Sequence, residues 1–291
     1  MARDVNTDLT NLLDLLDDKD DLIFYKVSEK IQSYGLAAIP FLEEASENTL
    51  DEFVISRIRK IIRSIRCQNI YSELHNWATL ESSDLLKGYY IVSKYQFPEL
   101  DEAYVMTKVE ALKKDVWLEL KKNMTPFEEA KVLSKVFFEV KKFTINENSA
   151  SIKDGVCLNG LLNSGKGYEV AFTILYAGIA QRLGIQVYGG LMPEEIYLTY
   201  VYSNNPAHTD LKNDVIFYLN PFKVGTFFSN EQMRELQESL HPDDFEEYIG
   251  ACTNIDFIMR LLDTFKHTYI RTRRPDKADD MDLLMKALNV D

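Results

Sequence analysis

Apolar residues recur every three or four positions through the first hundred residues, a spacing typical of amphipathic helices. One helix is predicted from the spacing of Ile23, Val27, Ile31 and Tyr34, with Gly35 at its end. Pro40 predicts a second, short helix. Thr49 and Glu52 form a capping-box pattern before a third helix, whose predicted inward face holds Leu50, Phe53, Val54, Ile58, Ile61, Ile62 and Ile65.

The helical pattern continues to Phe143 and contains two boundary signals. The Phe97-Pro98 pair predicts a break, because the residue before proline disfavours the α conformation. Thr125, Pro126 and Glu128 then predict a helix start with an N-cap, a proline at the first position and a glutamate at the third. The inward residues predicted for this helix are Val132, Leu133, Val136, Phe137 and Val140.

The pattern changes after a polar loop predicted over residues 144–155. Tyr168 to Leu183 is apolar nearly all round, which predicts a central, buried helix that Gly184 ends. Strands follow, predicted at 186–192, 196–202, 215–219 and 224–228 from their Val, Ile, Tyr and Phe content. The chain from Glu231 onward is predicted to be helical, with a helix starting at His241, a basic link over 271–275 and a final helix over 279–288.

Composition places the chain among ordinary globular proteins with a sizeable core, since 46% of its 291 residues are hydrophobic. The formal net charge of −13 argues against nucleic acid and anionic membranes as partners, because both attract basic proteins. The acidic N-terminus lacks the apolar stretch of a signal peptide. No apolar run approaches the ~20 residues that cross a bilayer. We therefore expect a cytoplasmic protein.

Cysteine and histidine give little sign of metal or redox chemistry. Cys67, Cys157 and Cys252 are far apart and odd in number, so we expect neither a disulfide framework nor a zinc site. None of the four histidines pairs at a metal-ligand spacing. We expect Cys157 to be a buried, inert thiol, although its sequence leaves a pair with His208 open. No metal and no cofactor are predicted.

A basic face is predicted on the third helix, formed by Arg57, Arg59, Lys60, Arg63 and Arg66. It could bind an acidic partner. The favoured interpretation is that it offsets nearby Asp and Glu residues, because a run of charge is usually a solvated face.

The segment from Gly160 to Gly167 nearly matches a phosphate-binding loop, GxxxxGK[ST]. Gly167 stands where that loop needs a serine or threonine for magnesium, and no β-branched strand precedes it. We therefore interpret the glycines as a turn between two helices.

Several short motifs, in a shared order, resemble the transglutaminase-like proteins of the SirB type. Their residues here are Leu158–Leu162, Leu175-Tyr176, Ala180–Gly184, Pro193, Asn220–Phe222, Tyr95–Asp101, Phe137–Phe143 and Arg260–Tyr269. The resemblance spans about Asp84 to Leu288. It implies an α+β fold with a papain-like core and a small antiparallel sheet, flanked by helical segments. The implied domains are residues 1–83 (helical), 84–238 (core) and 239–291 (helical, similar to tetratricopeptide repeats). Residues 22–66 also resemble a HEAT-type helical pair, with no evident repeat period.

The chemistry of the wider superfamily uses a thiol at a helix N-terminus, a histidine base and an acid that orients it. Aligned through the motifs, these positions fall on Glu169, Glu195 and Asn220, and the SirB-type family itself lacks the cysteine. For Glu169 we favour a helix-stabilising role over a catalytic one. For Asn220 we favour a cap at the end of a strand. We expect no catalytic residue here, and keep these three as candidates for a residual cleft.

The favoured function is a catalytically inactive protein that serves as a scaffold for other proteins. Two alternatives stay open. One is a hydrolase or transferase that uses Glu169 and Glu195 as a carboxylate pair, in which one pKa would be raised. The other is a peptide-binding module. The sequence predicts no oligomeric state.

Overall fold

The computed structural model describes residues 2–145, 155–190, 196–202, 210–222, 226–240, 243 and 248–289. The chain divides between Glu73 and Leu74 into two compact units, a smaller N-terminal one and a larger C-terminal one. This division into compact units does not test the domain boundaries expected after residues 83 and 238, which stay predictions.

The smaller unit is helical. It contains α1 (Ala2–Leu13), α2 (Asp21–Gln32), α3 (Ile39–Asn48) and most of α4 (Glu52–Asn76), with short 3₁₀ turns at Asp14–Asp17 and Gly35–Ala38. Its core is made by apolar residues from each of these elements, among them Leu9, Leu16, Val27, Ile31, Leu42, Ile58 and Ile61. Gly35 has a positive φ of 60°, as expected of a residue that ends a helix.

Three details of the smaller unit differ from the sequence prediction. Ile23 is exposed, and Phe24 packs on the core instead. On the inward face predicted for α4, Leu50 is 98% exposed because it precedes the helix, and Phe53 is 46% exposed. The cap of α4 is Asp51, whose Oδ1 accepts the Phe53 N–H at 2.8 Å, so the capping box predicted from Thr49 and Glu52 is wrong. A carboxylate one residue before the helix takes the role that the motif assigned to a hydroxyl.

Arg57 shows that the basic face of α4 is partly structural. Its guanidinium is buried, donates to the Leu16 carbonyl at 3.1 Å and lies 3.3 Å from the Asp21 carboxylate. It also stacks over the rings of Phe24 and Phe53, 4.3 and 4.1 Å from their centroids. Arg57 therefore holds the start of α2 and α4 together and is not a solvated charge.

The larger unit continues with a π-helical turn at Trp77–Glu81 and then α5 (Leu85–Ser93), α6 (Glu102–Glu119) and α7 (Pro126–Ser134). The break predicted at Phe97-Pro98 is confirmed. The helix start at Thr125 is also confirmed: Thr125 N–H donates to Glu128 Oε2 at 2.8 Å, and Glu128 N–H donates back to Thr125 Oγ1 at 3.3 Å.

A π-helical turn extends α7 over Lys135–Val140. Its wider hydrogen bonds, such as Lys141 N–H to Val136 C=O at 2.9 Å, rotate the following residues away from the 3.6-residue phase. Val136 and Phe137 are buried as predicted, but Val140 is 56% exposed. The prediction for Val140 was wrong for this reason.

Of the segment from Gly160 to Gly167, only the end forms the predicted turn. Its first five residues belong to a short helix, α8 (Leu158–Ser164), which Gly165 ends with a left-handed φ of 66°. Lys166–Gly167 is a short strand, β2, which pairs in parallel with β1 (Thr144–Ile145). The segment thus presents the C-terminal end of a helix, whereas phosphate loops use the amide groups of an N-terminal end.

Helix α9 (Glu169–Arg182) is the central helix of the larger unit. Every residue from Val170 to Ala180 is buried, which confirms the prediction from its apolar sequence. Gly184 follows with a φ of 80°. At the C-terminal end, Arg182 lies 2.8 Å from the carboxylate of Asp84, the residue that caps α5.

A four-stranded antiparallel sheet of order β3-β4-β5-β6 follows. The strands are β3 (Val187–Gly189), β4 (Leu198–Val201), β5 (Val215–Leu219) and β6 (Phe227–Phe228). The prediction for β5 is confirmed, and β4 is shorter than predicted. The strands predicted over 186–192 and 224–228 lie partly outside the described residues, within which β3 starts at Val187 and β6 covers Phe227 and Phe228. One face packs on α9, and the other carries Tyr197, Val201 and Tyr218 against Met233 of the helix after β6. The fold is therefore the mixed one, with a small sheet, that the sequence predicts.

The last described elements are helical. They are α10 (Asn230–Leu240), α11 (Asn254–Arg271) and α12 (Pro275–Lys286), and α11 packs closely on α12. The final helix starts at Pro275 and not at Asp279, because proline at the first position needs no amide donor. The helix start predicted at His241 lies outside the described residues.

Candidate functional site

The first candidate position lies at the N-terminus of α9. Tyr168 is the N-cap, with its own N–H bound to the Gly155 carbonyl at 2.8 Å, and Glu169 is the first helical residue. Glu169 is half-buried, and its carbonyl accepts the Thr173 hydroxyl at 2.9 Å. Its carboxylate therefore stands where the helix dipole favours negative charge. Such a place also activates a cysteine thiol, but a carboxylate there cannot form a thioester.

Asn220 lies just after β5 and is buried. Its Oδ1 accepts the backbone N–H of Phe222 at 3.0 Å, and its own N–H donates to the Thr226 carbonyl at 3.2 Å. This is an Asx turn, in which a side-chain oxygen satisfies a backbone donor two residues ahead. The geometry fits the cap that the sequence suggests for Asn220.

The sheet register brings the start of β4 to the end of β5. Leu198, the first residue of β4, pairs with Leu219, the last residue of β5 and the neighbour of Asn220. The chain thus enters β4 beside the Asn220 turn. Glu195, the second candidate, lies outside the described residues, so its position relative to Glu169 stays a prediction.

Aromatic rings connect the Asn220 turn to α9. Phe222 lies 6.2 Å, centroid to centroid, from Phe172, which is one helical turn after Glu169. Phe138, from the π-helical turn, lies 5.6 Å from Phe222 and 6.5 Å from Phe172. The structure therefore brings the beginning of α9 and the end of β5 to one side of the larger unit, with aromatic side chains between them.

All three cysteines of the chain lie in the described part and are buried. Cys157, closest in sequence to α9, has no exposed surface, as predicted. Burial raises the pKa of the Cys252 thiol to about 12, the nearby Asp256 carboxylate adds to the rise, and Arg260 partly opposes it. A pair between Cys157 and His208 lies outside what the structure describes, since residues 203–209 are not described.

A buried group of hydroxyls was missed by the sequence reasoning. Tyr176 of α9 donates to the Ala130 carbonyl at 3.0 Å, and Ser134 Oγ lies 3.4 Å from its hydroxyl. Burial raises the pKa of Tyr200 in β4 well above the ordinary phenol value, with the nearby Tyr176 adding to it. Burial also raises the pKa of the half-buried Glu129. No motif signals this group, because α7, α9 and β4 each supply only one or two members.

Among the residues that the structure describes, no three His, Cys, Asp or Glu side chains lie close enough together to hold a metal ion. In the same part of the chain, none of the helices combines the length and the apolar character that crossing a membrane requires.

Comparison with known proteins gives one result for the region that contains these positions. The family model described as "Transglutaminase-like superfamily" matches residues 103–263, which include Glu169 and Asn220. No curated protein and no solved structure matches the chain. The matched region covers more than half of the 291 residues. The chain therefore belongs to the transglutaminase-like superfamily.

Proposed function

We propose that this protein is a catalytically inactive member of the superfamily, of the SirB type, and that it acts as a scaffold for other proteins. The observation that carries the proposal is the burial of all three thiols. A nucleophilic cysteine needs both access to substrate and a thiolate near neutral pH. Cys157 lacks the first, and the raised pKa of Cys252 removes the second.

Two residues at the aligned positions support the same proposal. Glu169 occupies the helix start that would carry the thiol, and Asn220 directs its side-chain oxygen to the Phe222 amide. In our proposal the core keeps a papain-like arrangement, with α9 against the sheet, while its catalytic positions have been replaced. The absence of disulfides among the three thiols favours a reducing compartment such as the cytoplasm.

The proposal is tested first by thiol chemistry. Purified protein is treated with iodoacetamide at neutral pH, with and without urea, and the modified cysteines are identified by mass spectrometry. We expect modification of the three cysteines only in urea. Rapid modification of Cys157 or Cys252 in the folded protein would contradict the proposal, since it would show an accessible, ionised thiol.

A second test addresses the carboxylate alternative. The protein is assayed against amide, ester and glycoside substrates, together with a Glu169→Gln variant. We expect no turnover by either protein. Turnover that Glu169→Gln abolishes without a change in melting temperature would instead establish a hydrolase that uses this carboxylate. The scaffold role predicts a partner that co-purifies at low salt from native lysate, and recovery of free protein alone would count against it.

A further inference from the structure

The four-stranded sheet of the larger unit ends in β6, and the outer edge of this strand is accessible. Among the described strands, β6 pairs with β5 alone. The ladder extends one residue beyond β6, because Asn220 N–H donates to the Thr226 carbonyl at 3.2 Å. Thr226, Phe227 and Phe228 each keep part of their surface exposed. The edge of the sheet is therefore within reach of another molecule.

The register shows which backbone groups of β6 point outward. In an antiparallel pair, residues that bond to the partner strand alternate with residues whose N–H and C=O point the other way. Thr226 bonds to the chain that leaves β5, so the alternation places the N–H and C=O of Phe227 on the outer edge. No residue in the described part of the chain bonds to these two groups. Ser229, the next outward residue, differs, because its N–H donates to Gln232 Oε1 at 2.9 Å and its carbonyl accepts from Met233 N–H at 2.9 Å.

Aromatic rings lie on one face of this edge. The ring of Phe227 lies 4.2 Å, centroid to centroid, from Phe127 of α7 and 5.5 Å from Phe217 of β5. Phe127 is 40% exposed, although Lys131 Nζ lies 4.3 Å from its centroid. A residue paired opposite Phe227 would direct its side chain to the same face, beside Phe127. The edge thus combines a free backbone donor and acceptor with an exposed aromatic surface. We call Phe127, Phe217 and Phe227 the β6-edge site.

We propose that the β6-edge site binds an extended segment of a protein partner, which adds a strand to the sheet. One residue of the segment exchanges two backbone hydrogen bonds with Phe227, and its apolar side chain packs on Phe127. The outward N–H and C=O match an extended polypeptide, and the aromatic rings favour an apolar side chain. A second copy of the chain is a poorer occupant, because each copy carries a net charge of −13 and two copies repel. This inference rests on the protein-binding function proposed above.

Backbone methylation of a peptide tests the hydrogen bonds without changing the protein. The probe is a capped, fluorescently labelled heptapeptide with leucine at the centre of six threonines, so that the single apolar side chain sets the register. The full-length protein is titrated against it, and anisotropy reports binding, which we expect to saturate. N-methylation of the leucine removes the N–H that meets Phe227 and is expected to weaken binding by about tenfold. N-methylation of the next threonine, whose N–H points away from the edge, is the matched control and is expected to leave the affinity unchanged.

Amide exchange and variants locate the binding. In the free protein the Phe227 N–H is expected to exchange quickly and the Phe228 N–H slowly, because only the second bonds to β5. Saturating peptide is expected to slow exchange of the Phe227 N–H by about tenfold, as measured by NMR. Phe127→Ala is expected to weaken peptide binding by about fivefold. Phe53→Ala, at an aromatic residue of α4 that is 46% exposed, is the matched control and is expected to leave the affinity unchanged.

Three outcomes would overturn the inference: no saturable peptide binding, equal affinities of the two N-methylated peptides, or no slowing of Phe227 N–H exchange by saturating peptide. Dimerisation of the protein that Phe127→Ala abolishes would assign the edge to a second copy and would overturn it as well. Failure here would leave the buried thiols and the proposed inactivity untouched. An enzymatic activity found together with intact peptide binding would remove the inactivity alone.

Discussion

Gly178 of α9 lies directly against Leu86 of α5, so close that a β-carbon at position 178 would overlap the side chain of Leu86. Both residues are fully buried. The contact lets the central helix approach α5 more closely than any larger residue would allow. Glycine at this position is therefore required by packing, although it weakens an isolated helix.

Gly178→Ala is expected to destabilise the larger unit. Overpacking a buried site costs roughly 1–3 kcal/mol, and the gain in helix propensity returns only about 1 kcal/mol. Urea unfolding followed by circular dichroism measures the difference. Leu86→Ala in the same chain should recover part of the loss caused by Gly178→Ala, because it opens space for the new methyl group. Additive losses in the double variant would contradict the contact.

Asn220→Ala is expected to lower the free energy of unfolding by about 1 kcal/mol, because the partly buried Phe222 N–H loses its acceptor. Asn220→Asp keeps an oxygen at that place and serves as the matched control. Urea midpoints of both variants provide the measurement. If aspartate destabilises the protein as much as alanine does, the Asx turn is not what Asn220 supplies.

Glu169→Cys is expected to create a reactive thiol. The N-terminus of α9 stabilises a thiolate, so the pKa of the new thiol should fall below the usual value of about 8.5. Glu47→Cys, in the last turn of α3, is the control, because there the helix dipole opposes the thiolate. The rate of alkylation against pH is measured for each, with the modified site identified by mass spectrometry. Equal midpoints would contradict the argument from the helix dipole.

Alkaline pH is expected to unfold the protein cooperatively. Burial raises the pKa of Tyr89 and of Tyr200 well above the phenol value, and that of Cys252 to about 12. The folded protein therefore holds these protons, whereas the unfolded chain releases them near pH 8.5 to 10, at roughly the ordinary values. The free energy of unfolding is thus unchanged by these groups below about pH 8.5 and falls as pH rises from there towards the folded pKa values.

The measurement compares urea midpoints at pH 8 and above pH 10, with phenolate absorbance recorded beside circular dichroism. We expect the absorbance of the buried tyrosines to rise together with the loss of helix. Cys252→Ala should reduce the slope of stability against pH. Full phenolate absorbance in a protein that keeps its helical signal would contradict the burial of these hydroxyls.

Local sequence signals predicted those elements whose stabilising contacts are themselves local. Thr125, Pro126 and Glu128 predicted the start of α7, since a capping box uses only residues three positions apart. The unbroken apolar run of α9 predicted its burial. The same reasoning failed at Val140, because it assumed the 3.6-residue period of an α-helix and the π-helical turn rotates Val140 outward.

Local signals likewise predicted one part of the candidate site and missed another. The motifs predicted Glu169 at a helix start and Asn220 at a strand end, and the structure places both residues so. The aromatic contact between Phe172 and Phe222, which joins these two places, links residues fifty positions apart and has no signal of its own in the sequence. The shared hydroxyls of Tyr176 and Ser134 were missed for that reason.

By itself, then, the sequence determined the class of the fold, the central helix and the superfamily resemblance. Periodicity, caps and motifs are properties of neighbouring residues. Only the tertiary structure decided that every thiol is buried, that Leu86 requires a glycine at Gly178 and that Phe172 meets Phe222. These relationships depend on distances between segments far apart in the chain, which the fold sets and the order of residues does not reveal.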